Sequence, residues 1–84
     1  MRVIAGEYKG RRLTPPADNS VRPTTDKVKE ALFSILAENM WGSRVLDLFS
    51  GTGNLGIEAL SRGAELCVFV DSSRESIRLI KSNI

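Results

Sequence analysis

The second half of the chain alternates two short apolar runs with two segments of helical hydrophobic spacing. Residues 45–49 and 66–70 are nearly continuous apolar runs, typical of strands that are buried on both faces of a parallel sheet. Residues 54–62, and the segment after residue 72, carry apolar side chains at helical intervals. The order strand, helix, strand, helix predicts an α/β protein with parallel strands.

Short signals define where these two helices begin and end. Gly63 follows the first helix, as glycine commonly does just past a helix end. Ser72, followed three residues later by Glu75, forms a capping box that opens the second helix. We expect Leu55, Ala59 and Leu60 to face inward in the first helix, and Ile77, Ile80 and Ile84 to form one apolar stripe along the second.

The first half of the chain predicts a β-hairpin and a loop. Two short β-prone runs, 2–5 and 11–13, flank Gly10, which can adopt the positive φ that a tight turn needs. Prolines and polar residues mark 15–23 as a loop.

A helix is predicted to follow this loop. It begins at Thr24 or Thr25 and is capped by a hydroxyl or by Asp26. Apolar residues at helical spacing form one face of it, namely Val28, Leu32, Ile35 and Leu36.

Composition and charge narrow the class of protein. The 84 residues include one cysteine, Cys67, and no histidine, which excludes an internal disulfide and a Cys/His zinc site. We expect Cys67 to be a small buried hydrophobe and the protein to hold no metal. No apolar run approaches a membrane span, and residues 1–7 resemble no signal peptide. These features predict a cytoplasmic protein without a membrane partner.

The charges are unevenly distributed along the chain. Residues 1–29 contain seven of the 12 basic residues and three of the 10 acidic ones, a net charge of +4, whereas residues 30–84 have a net charge of −2. A basic amino-terminal segment followed by a nearly neutral remainder predicts either a polyanionic partner for that segment or an ordinary solvated surface. Charge alone does not choose between the two.

The strongest candidate site is the turn between the first strand and its helix, residues 50–53, which we call the glycine turn. Gly51, Gly53 and Gly56 form a G-x-G-x-x-G pattern. In a nucleotide-binding strand–turn–helix unit, these glycines allow a tight turn, close approach of the backbone to a ligand, and close helix-on-strand packing, respectively.

Two acidic residues at the strand ends indicate which ligand the turn binds. A carboxylate at Asp47 would repel the pyrophosphate of a dinucleotide but attract the ammonium and sulfonium groups of S-adenosylmethionine. Asp71, 20 residues after Gly51, can accept hydrogen bonds from both ribose hydroxyls of either ligand. The structural alternatives are a helix cap for Asp71 and an internal turn bond for Asp47.

Neighbouring polar residues have less specific roles. Ser50 and Thr52 either bind the methionine carboxylate or fix the turn, and Asn54 is a candidate helix cap. Glu58 and Glu65 are expected to face solvent. Phe49 is a core residue or a cofactor contact. The full candidate cofactor set is Asp47, Phe49, Ser50, Gly51, Thr52, Gly53, Asn54, Asp71 and Ser72.

At these residues the sequence resembles a known family. Residues 47–53 are similar to the first motif of class I methyltransferases, D-x-F-x-G-x-G. The stretch 45–64 resembles the RsmD family of 16S rRNA methyltransferases, as do three segments near the amino terminus, 2–6, 9–13 and 22–33. The resemblance covers nearly the whole chain, with its motifs in the family's order.

The resemblance implies methyl transfer from S-adenosylmethionine to the exocyclic N2 of a guanine in the small ribosomal subunit. It implies the start of a Rossmann-like sheet over residues 24–84 and a basic, RNA-contacting extension over 1–23. Within that extension Lys9, Arg11 and Arg12 are the candidate RNA contacts.

Arg22 and Thr24 either border the cofactor pocket or form a loop-to-helix junction. The family's D/N-P-P-Y/F motif, which holds the target base, is absent from this sequence. The chain therefore corresponds to the amino-terminal part of the enzyme and carries no catalytic residue of its own.

Three alternatives stay open. The first is a methyltransferase that acts on DNA adenine or on another RNA. The second is an inactive fragment that binds cofactor or RNA, or associates with itself through an unpaired sheet edge. The third is an NAD-dependent oxidoreductase, which Asp47 disfavours.

Overall fold

The computed structural model describes residues 1–15, 25–48 and 50–84 of the chain. Its helices and strands follow the order α1 (Asp26–Met40), β1 (Arg44–Leu48), α2 (Asn54–Ser61), β2 (Leu66–Val70) and α3 (Arg74–Asn83). The predicted α/β fold class is confirmed.

The two strands form a parallel sheet of which one face is covered. β1 and β2 pair in register, with Asp47 opposite Phe69. The side chains on the other face are 43–60% exposed, namely Leu46, Leu48, Leu66, Val68 and Val70. The prediction that these strands are buried on both faces is wrong for the described chain, because α1 and α2 pack only against the face of Val45.

Helix α2 lies at the centre of the described fold. Its Ile57 packs with Val3 and Leu13 from the first 15 residues, which we call the amino-terminal arm. Its Ala59 packs with Phe33 and Met40 of α1. The arm, α1 and the sheet therefore share one helix as their common support.

The predicted hairpin is present in a reduced form. Within the arm, Arg2 and Arg12 form an isolated antiparallel bridge, flanked by the bonds Val3 N to Arg11 O (2.8 Å) and Leu13 N to Met1 O (3.0 Å). Gly10 has φ +87°, as a tight turn requires. The arm is thus a short two-stranded ribbon with a single bridge.

Helix α1 begins as predicted but buries a different side. The Thr25 hydroxyl accepts a bond from Val28 N at 3.3 Å and caps the helix. Its buried residues are Lys29, Phe33 and Met40, about 90° around the helix from the predicted apolar stripe. That stripe is exposed in the described chain, with Ile35 at 78%.

The ends of the later helices agree with the prediction in one case. Gly63, with φ +111°, directly follows the C-cap of α2, as predicted. The predicted capping box of α3 is wrong by one residue. Ser73 is the N-cap, and its hydroxyl accepts a bond from Ser76 N at 3.3 Å.

Neither a membrane-crossing helix nor a metal-ligand group occurs in the described part of the chain. None of its helices combines the length and apolar character that a span requires. Nor do its Cys, Asp and Glu side chains form a group of three or more that could hold a metal ion.

Candidate functional site

Two glycines in the glycine turn adopt left-handed backbone conformations and face opposite surroundings. Gly51 has φ +60° and Gly53 has φ +83°. A Cβ added to Gly51 would have no atom within 4 Å, whereas one at Gly53 would lie 3.2–3.4 Å from Ile57, Ile80 and Phe69. The open backbone position is therefore Gly51. The Cβ direction of Gly53 points into the protein's own core, and the close approach of the Gly53 backbone to a ligand stays a prediction.

Gly56 has the packing role that its spacing predicted. A Cβ there would collide with the Phe69 ring and the Cys67 sulfur, so α2 rests directly on β2. Burial, and then the charge of Asp47, raise the pKa of the Cys67 thiol to about 11. Cys67 is therefore a packing residue as expected, although it is half-buried rather than fully buried.

Asp71 holds the glycine turn from the end of β2. Its Oδ2 accepts a hydrogen bond from Gly51 N at 2.9 Å, and its Oδ1 accepts one from Ser73 N at 2.9 Å. These N–H groups, first that of Ser73 and then that of Gly51, lower the pKa of Asp71. The carboxylate is ionised and partly exposed beside the open glycine.

Asp47 lies on the other side of the same turn and is buried. Its Oδ2 accepts a hydrogen bond from Gly56 N at 3.0 Å. Burial raises the pKa of Asp47, the Gly56 N–H opposes that rise, and the negative charge of Asp71 adds to it. A cation placed between the two carboxylates would relieve both the desolvation and the repulsion.

Ser50 fixes the turn between the ends of the two strands. Its hydroxyl donates to Asp47 O at 2.6 Å and accepts from Val70 N at 2.9 Å. Its backbone N–H donates to Val70 O at 3.0 Å. Of the two roles considered for Ser50, the structure shows the turn-fixing one.

Asn83, which sequence reasoning missed, joins the turn to the arm. Its Nδ2 donates to Thr52 O at 3.0 Å and to Thr14 O at 3.1 Å, and its Oδ1 accepts from Thr14 N at 2.6 Å. The Thr52 hydroxyl lies 3.8 Å from the Met1 sulfur. No local sequence signal distinguishes this buried asparagine from an ordinary polar residue near a helix end.

Behind the turn, the buried Lys29 and Glu58 and the partly buried Arg62 form a cluster, which we call the charged node. Glu58 Oε1 lies 2.9 Å from Lys29 Nζ, and Glu58 Oε2 lies 2.8 Å from Arg62 Nε. The Glu58 carboxylate also accepts hydrogen bonds from Ile4 N (2.9 Å) and Ala5 N (3.1 Å) of the arm. The side chains of Lys29 and Glu58 are both 0% exposed.

The expectation that Glu58 faces solvent is therefore wrong. Burial raises the pKa of its carboxyl, but the Ile4 N–H, Arg62, Lys29 and the Ala5 N–H together outweigh burial and lower it. The spacing of Glu58 and Arg62, one helical turn apart, is the one sequence signal that pointed to a paired glutamate.

Asn54 connects the node to the glycine turn. It is the first residue of α2, whose N-cap is Gly53 without a side-chain capping bond. The capping role expected of Asn54 is therefore wrong. Its Oδ1 instead accepts a hydrogen bond from Lys29 Nζ at 2.8 Å.

The remaining candidate residues lie apart from this centre or outside the described residues. Ser72 is exposed next to Asp71. Lys9, Arg11 and Arg12 are exposed on the arm, and Arg11 Nη2 donates to Ile84 O at 3.0 Å. Three further candidates lie outside the described residues, namely Phe49, Arg22 and Thr24.

The carboxylates around the glycine turn favour a cationic ligand with hydroxyl groups. Asp47 and Asp71 flank the turn, and the Gly51 side of the backbone is open. Two carboxylates at this distance from the turn would repel a pyrophosphate. They fit the charge and the ribose of S-adenosylmethionine.

Comparison with known proteins places the whole chain in one family. The model of the family described as conserved hypothetical protein 95 matches residues 1–84. The chain is 56% identical over 84 residues to YlbH of Bacillus subtilis (strain 168), which is named provisionally as an rRNA methyltransferase. The match covers 100% of this chain and 46% of that protein.

Two further relatives come from Escherichia coli. The chain is 43% identical over 83 residues to ribosomal RNA small subunit methyltransferase D of strain K12, covering 98% of this chain and 42% of that protein. It superposes on the solved structure of yhhF, provisionally described as a methyltransferase, with a TM-score of 0.87, 38% identity, and coverage of 99% and 44%. The chain thus spans less than half the length of these relatives.

Proposed function

The chain belongs to the conserved hypothetical protein 95, or RsmD, family, and from that premise we propose that it forms the cofactor-binding part of an S-adenosylmethionine-dependent rRNA methyltransferase. We propose further that the methylated atom is the exocyclic N2 of a guanine in 16S rRNA. The observation that carries this proposal is the pair Asp47 and Asp71, which flank a glycine turn open at Gly51.

The residues around the turn would hold the cofactor by charge and hydrogen bonding. Asp71 keeps lone pairs beyond its bonds to Gly51 N and Ser73 N, and these can accept the ribose hydroxyls. Asp47, buried and close to Asp71 in charge interaction, would attract the positively charged end. When bound, S-adenosylmethionine supplies an electrophilic methyl group.

The contribution of this chain to the reaction is alignment. Ser50 and Asp71 fix the turn to the ends of both strands, so that the bound group is presented in one orientation. Methyl transfer to an amine depends on proximity and alignment of the reacting atoms more than on a strong base.

Calorimetric titration of S-adenosylhomocysteine into this chain tests the cofactor assignment, with NAD as the control ligand. We expect binding of S-adenosylhomocysteine and none of NAD. If NAD binds instead, the assignment is wrong. If neither binds to a sample whose circular dichroism spectrum shows the expected helix content, the chain does not hold this cofactor.

We propose that the arm supplies RNA phosphate contacts through Lys9, Arg11 and Arg12, with the small ribosomal subunit as partner and the cytoplasm as location. Phosphate contacts fix position on RNA without reading sequence. Replacing the three residues by alanine should weaken RNA binding and flatten its salt dependence.

A matched control for this test exists on α3. Arg74, Arg78 and Lys81 are also exposed, and their triple alanine variant removes the same charge from another surface. An arm variant with the salt slope of the unmodified chain, or a control variant with an equally flattened slope, would contradict the assignment of RNA contacts to the arm.

As a further part of the proposal, we infer self-association through an exposed edge of the sheet, next to its uncovered apolar face. Leu46, Leu66 and Val68 lie 49–60% exposed on one face. Among the described residues the sheet consists of β1 and β2, so both are edge strands that another chain could pair with. Sedimentation equilibrium should show concentration-dependent association that Leu46→Glu reduces. A chain that is monomeric at all concentrations would contradict it.

A further inference from the structure

Lys29 lies where the arm, α1 and the glycine turn meet, and the site described above does not use it. We propose that Lys29 is a positioning residue that couples the docking of the arm to the shape of the glycine turn, so that each strengthens the other. This inference rests on the proposed cofactor function.

The ammonium of Lys29 has a partner for each of its three protons. Nζ donates to Arg2 O at 2.8 Å and to Asn54 Oδ1 at 2.8 Å, and it lies 2.9 Å from Glu58 Oε1. One partner belongs to the arm, one to the residue that directly follows the glycine turn, and one to the middle of α2. A lysine ammonium has three donors and no acceptor, so the arrangement uses its full bonding capacity.

The burial of Lys29 makes a positioning role the fitting one. Its side chain is 0% exposed, so it cannot touch a ligand or an RNA phosphate. Removing an ion from water costs several kcal/mol, and a buried pair of charges is weak evidence for stability alone. The Lys29 ammonium links the arm, the glycine turn and α2 through hydrogen bonds. An apolar side chain of equal size could not form these bonds, so a positioning role explains the buried charge better than stability does.

Glu58 provides the second half of the link. Its carboxylate accepts the N–H groups of Ile4 and Ala5 and contacts Lys29. The connection therefore runs from the backbone of the arm through Glu58 and Lys29 to Asn54 at the end of the turn. Coupling of this kind is reciprocal, because any ligand that favours the ordered turn must also favour the docked arm.

The first test replaces the link and measures cofactor affinity. Lys29→Met should lower the affinity for S-adenosylhomocysteine by about tenfold, as measured by calorimetry well below the melting temperature of the variant. That loss corresponds to about 1.4 kcal/mol of coupling. Lys27→Met, an exposed lysine of the same helix, is the control and should bind like the unmodified chain.

The outcomes separate this inference from the function on which it rests. If the unmodified chain binds S-adenosylhomocysteine and a folded Lys29→Met variant binds it equally well, the inference is wrong and the proposed function stands. If the unmodified chain does not bind the ligand, both are wrong.

The second test needs no variant and covers the case in which Lys29→Met does not fold. Amide hydrogen exchange of the unmodified chain should show that S-adenosylhomocysteine slows exchange at Ile4 and Ala5 more than at Gly42. The Gly42 N–H bonds to Gly63 O at 2.8 Å, next to the start of β1 and away from the turn. Because a ligand that only stabilises the whole fold slows globally exchanging amides alike, equal slowing at the three positions would overturn the coupling.

Discussion

The charged node contains one buried carboxylate, Glu58, and the glycine turn borders another, Asp47, and the two carboxylates differ in how the chain surrounds them. Glu58 accepts bonds from Lys29, Arg62 and two N–H groups of the arm. Asp47 accepts a bond from the N–H of Gly56 and lies near a second negative charge, Asp71. The pKa of Glu58 is accordingly lowered and that of Asp47 is raised.

This difference separates a stabilising cluster from a binding site. At the node, two basic side chains more than balance the negative charge of one carboxylate within the chain. At the turn, two acids stand beside an open backbone, so a positive ligand would improve the local electrostatics. Shifted pKa values occur in both structural clusters and functional sites, so the contacts tell the two apart here: Glu58 is paired with two basic side chains, whereas Asp47 has a second acid, Asp71, nearby.

Glu58→Gln should have the largest effect on the free energy of unfolding. Removing one partner from a buried ion pair leaves uncompensated charge, at a typical cost of 3–5 kcal/mol, and we expect a loss of about 3 kcal/mol. Chemical denaturation followed by circular dichroism measures it.

Glu65→Gln is the matched control for that change. From the sequence, both Glu58 and Glu65 are expected to face solvent. In the structure Glu58 is buried and Glu65 is exposed. The control should change stability by less than about 0.5 kcal/mol. Equal effects of the two substitutions would remove the distinction between the node and an ordinary surface.

At the glycine turn, Asp71→Ala should lower cofactor affinity much more than it lowers the free energy of unfolding. Hydrogen bonds to charged groups contribute about 1.5–3 kcal/mol, so S-adenosylhomocysteine affinity should fall by about tenfold to a hundredfold. The fold should lose much less stability than in Glu58→Gln, because the Asp71 side chain is partly exposed. Calorimetry on this variant and on Glu75→Ala, an exposed acid of α3, provides the measurement and its control. Unchanged affinity in Asp71→Ala would remove Asp71 from the cofactor site.

The turn was predictable from sequence because its signals are local. The pattern of Gly51, Gly53 and Gly56, placed between an apolar run and a helical segment, determines the backbone within a few residues. The acids at both strand ends follow from parallel pairing, which brings the carboxyl ends of neighbouring strands to the same edge of the sheet.

The node was not predictable because its members meet only through tertiary packing. Lys29 and Glu58 are far apart in sequence, and lysine and glutamate at helical positions usually face solvent. The same limit explains the error in α1, where the charged Lys29 lies on the buried side and the apolar Ile35 on the exposed side. The apolar character of the strands predicted two covered faces, but the described helices form a layer on only one of them.

Gly51→Ala should have a smaller effect, confined to the turn. A left-handed backbone with a Cβ costs about 1 kcal/mol, and Gly51 has φ +60° with open space around it. Because the new methyl group points into that space, we expect an additional loss of S-adenosylhomocysteine affinity. Gly10→Ala is the control, since Gly10 has φ +87° and is equally open but lies on the arm. Equal affinities of the two variants would place the ligand away from Gly51.

The smallest effect should appear in the pH dependence of stability, where the two carboxylates act in opposite directions. Glu58, with a pKa below its ordinary value of 4.5, contributes stability that is present above that value and is lost as the pH falls through its lowered pKa. Asp47, with a pKa above its ordinary value of 3.8, contributes stability that is present below that value and is lost as the pH rises through its raised pKa.

Denaturation of Glu58→Gln and Asp47→Asn across this acidic range should therefore give opposite trends relative to the unmodified chain. The stability difference caused by Glu58→Gln should shrink on acidification, because protonation removes the same charge. On acidification the unmodified chain should instead gain stability relative to Asp47→Asn, because protonation of Asp47 removes a buried negative charge. Saturating S-adenosylhomocysteine should weaken the second trend alone, since its ammonium group would stabilise ionised Asp47. Parallel pH profiles of the two variants would mean that the node and the turn do not differ in how they hold charge.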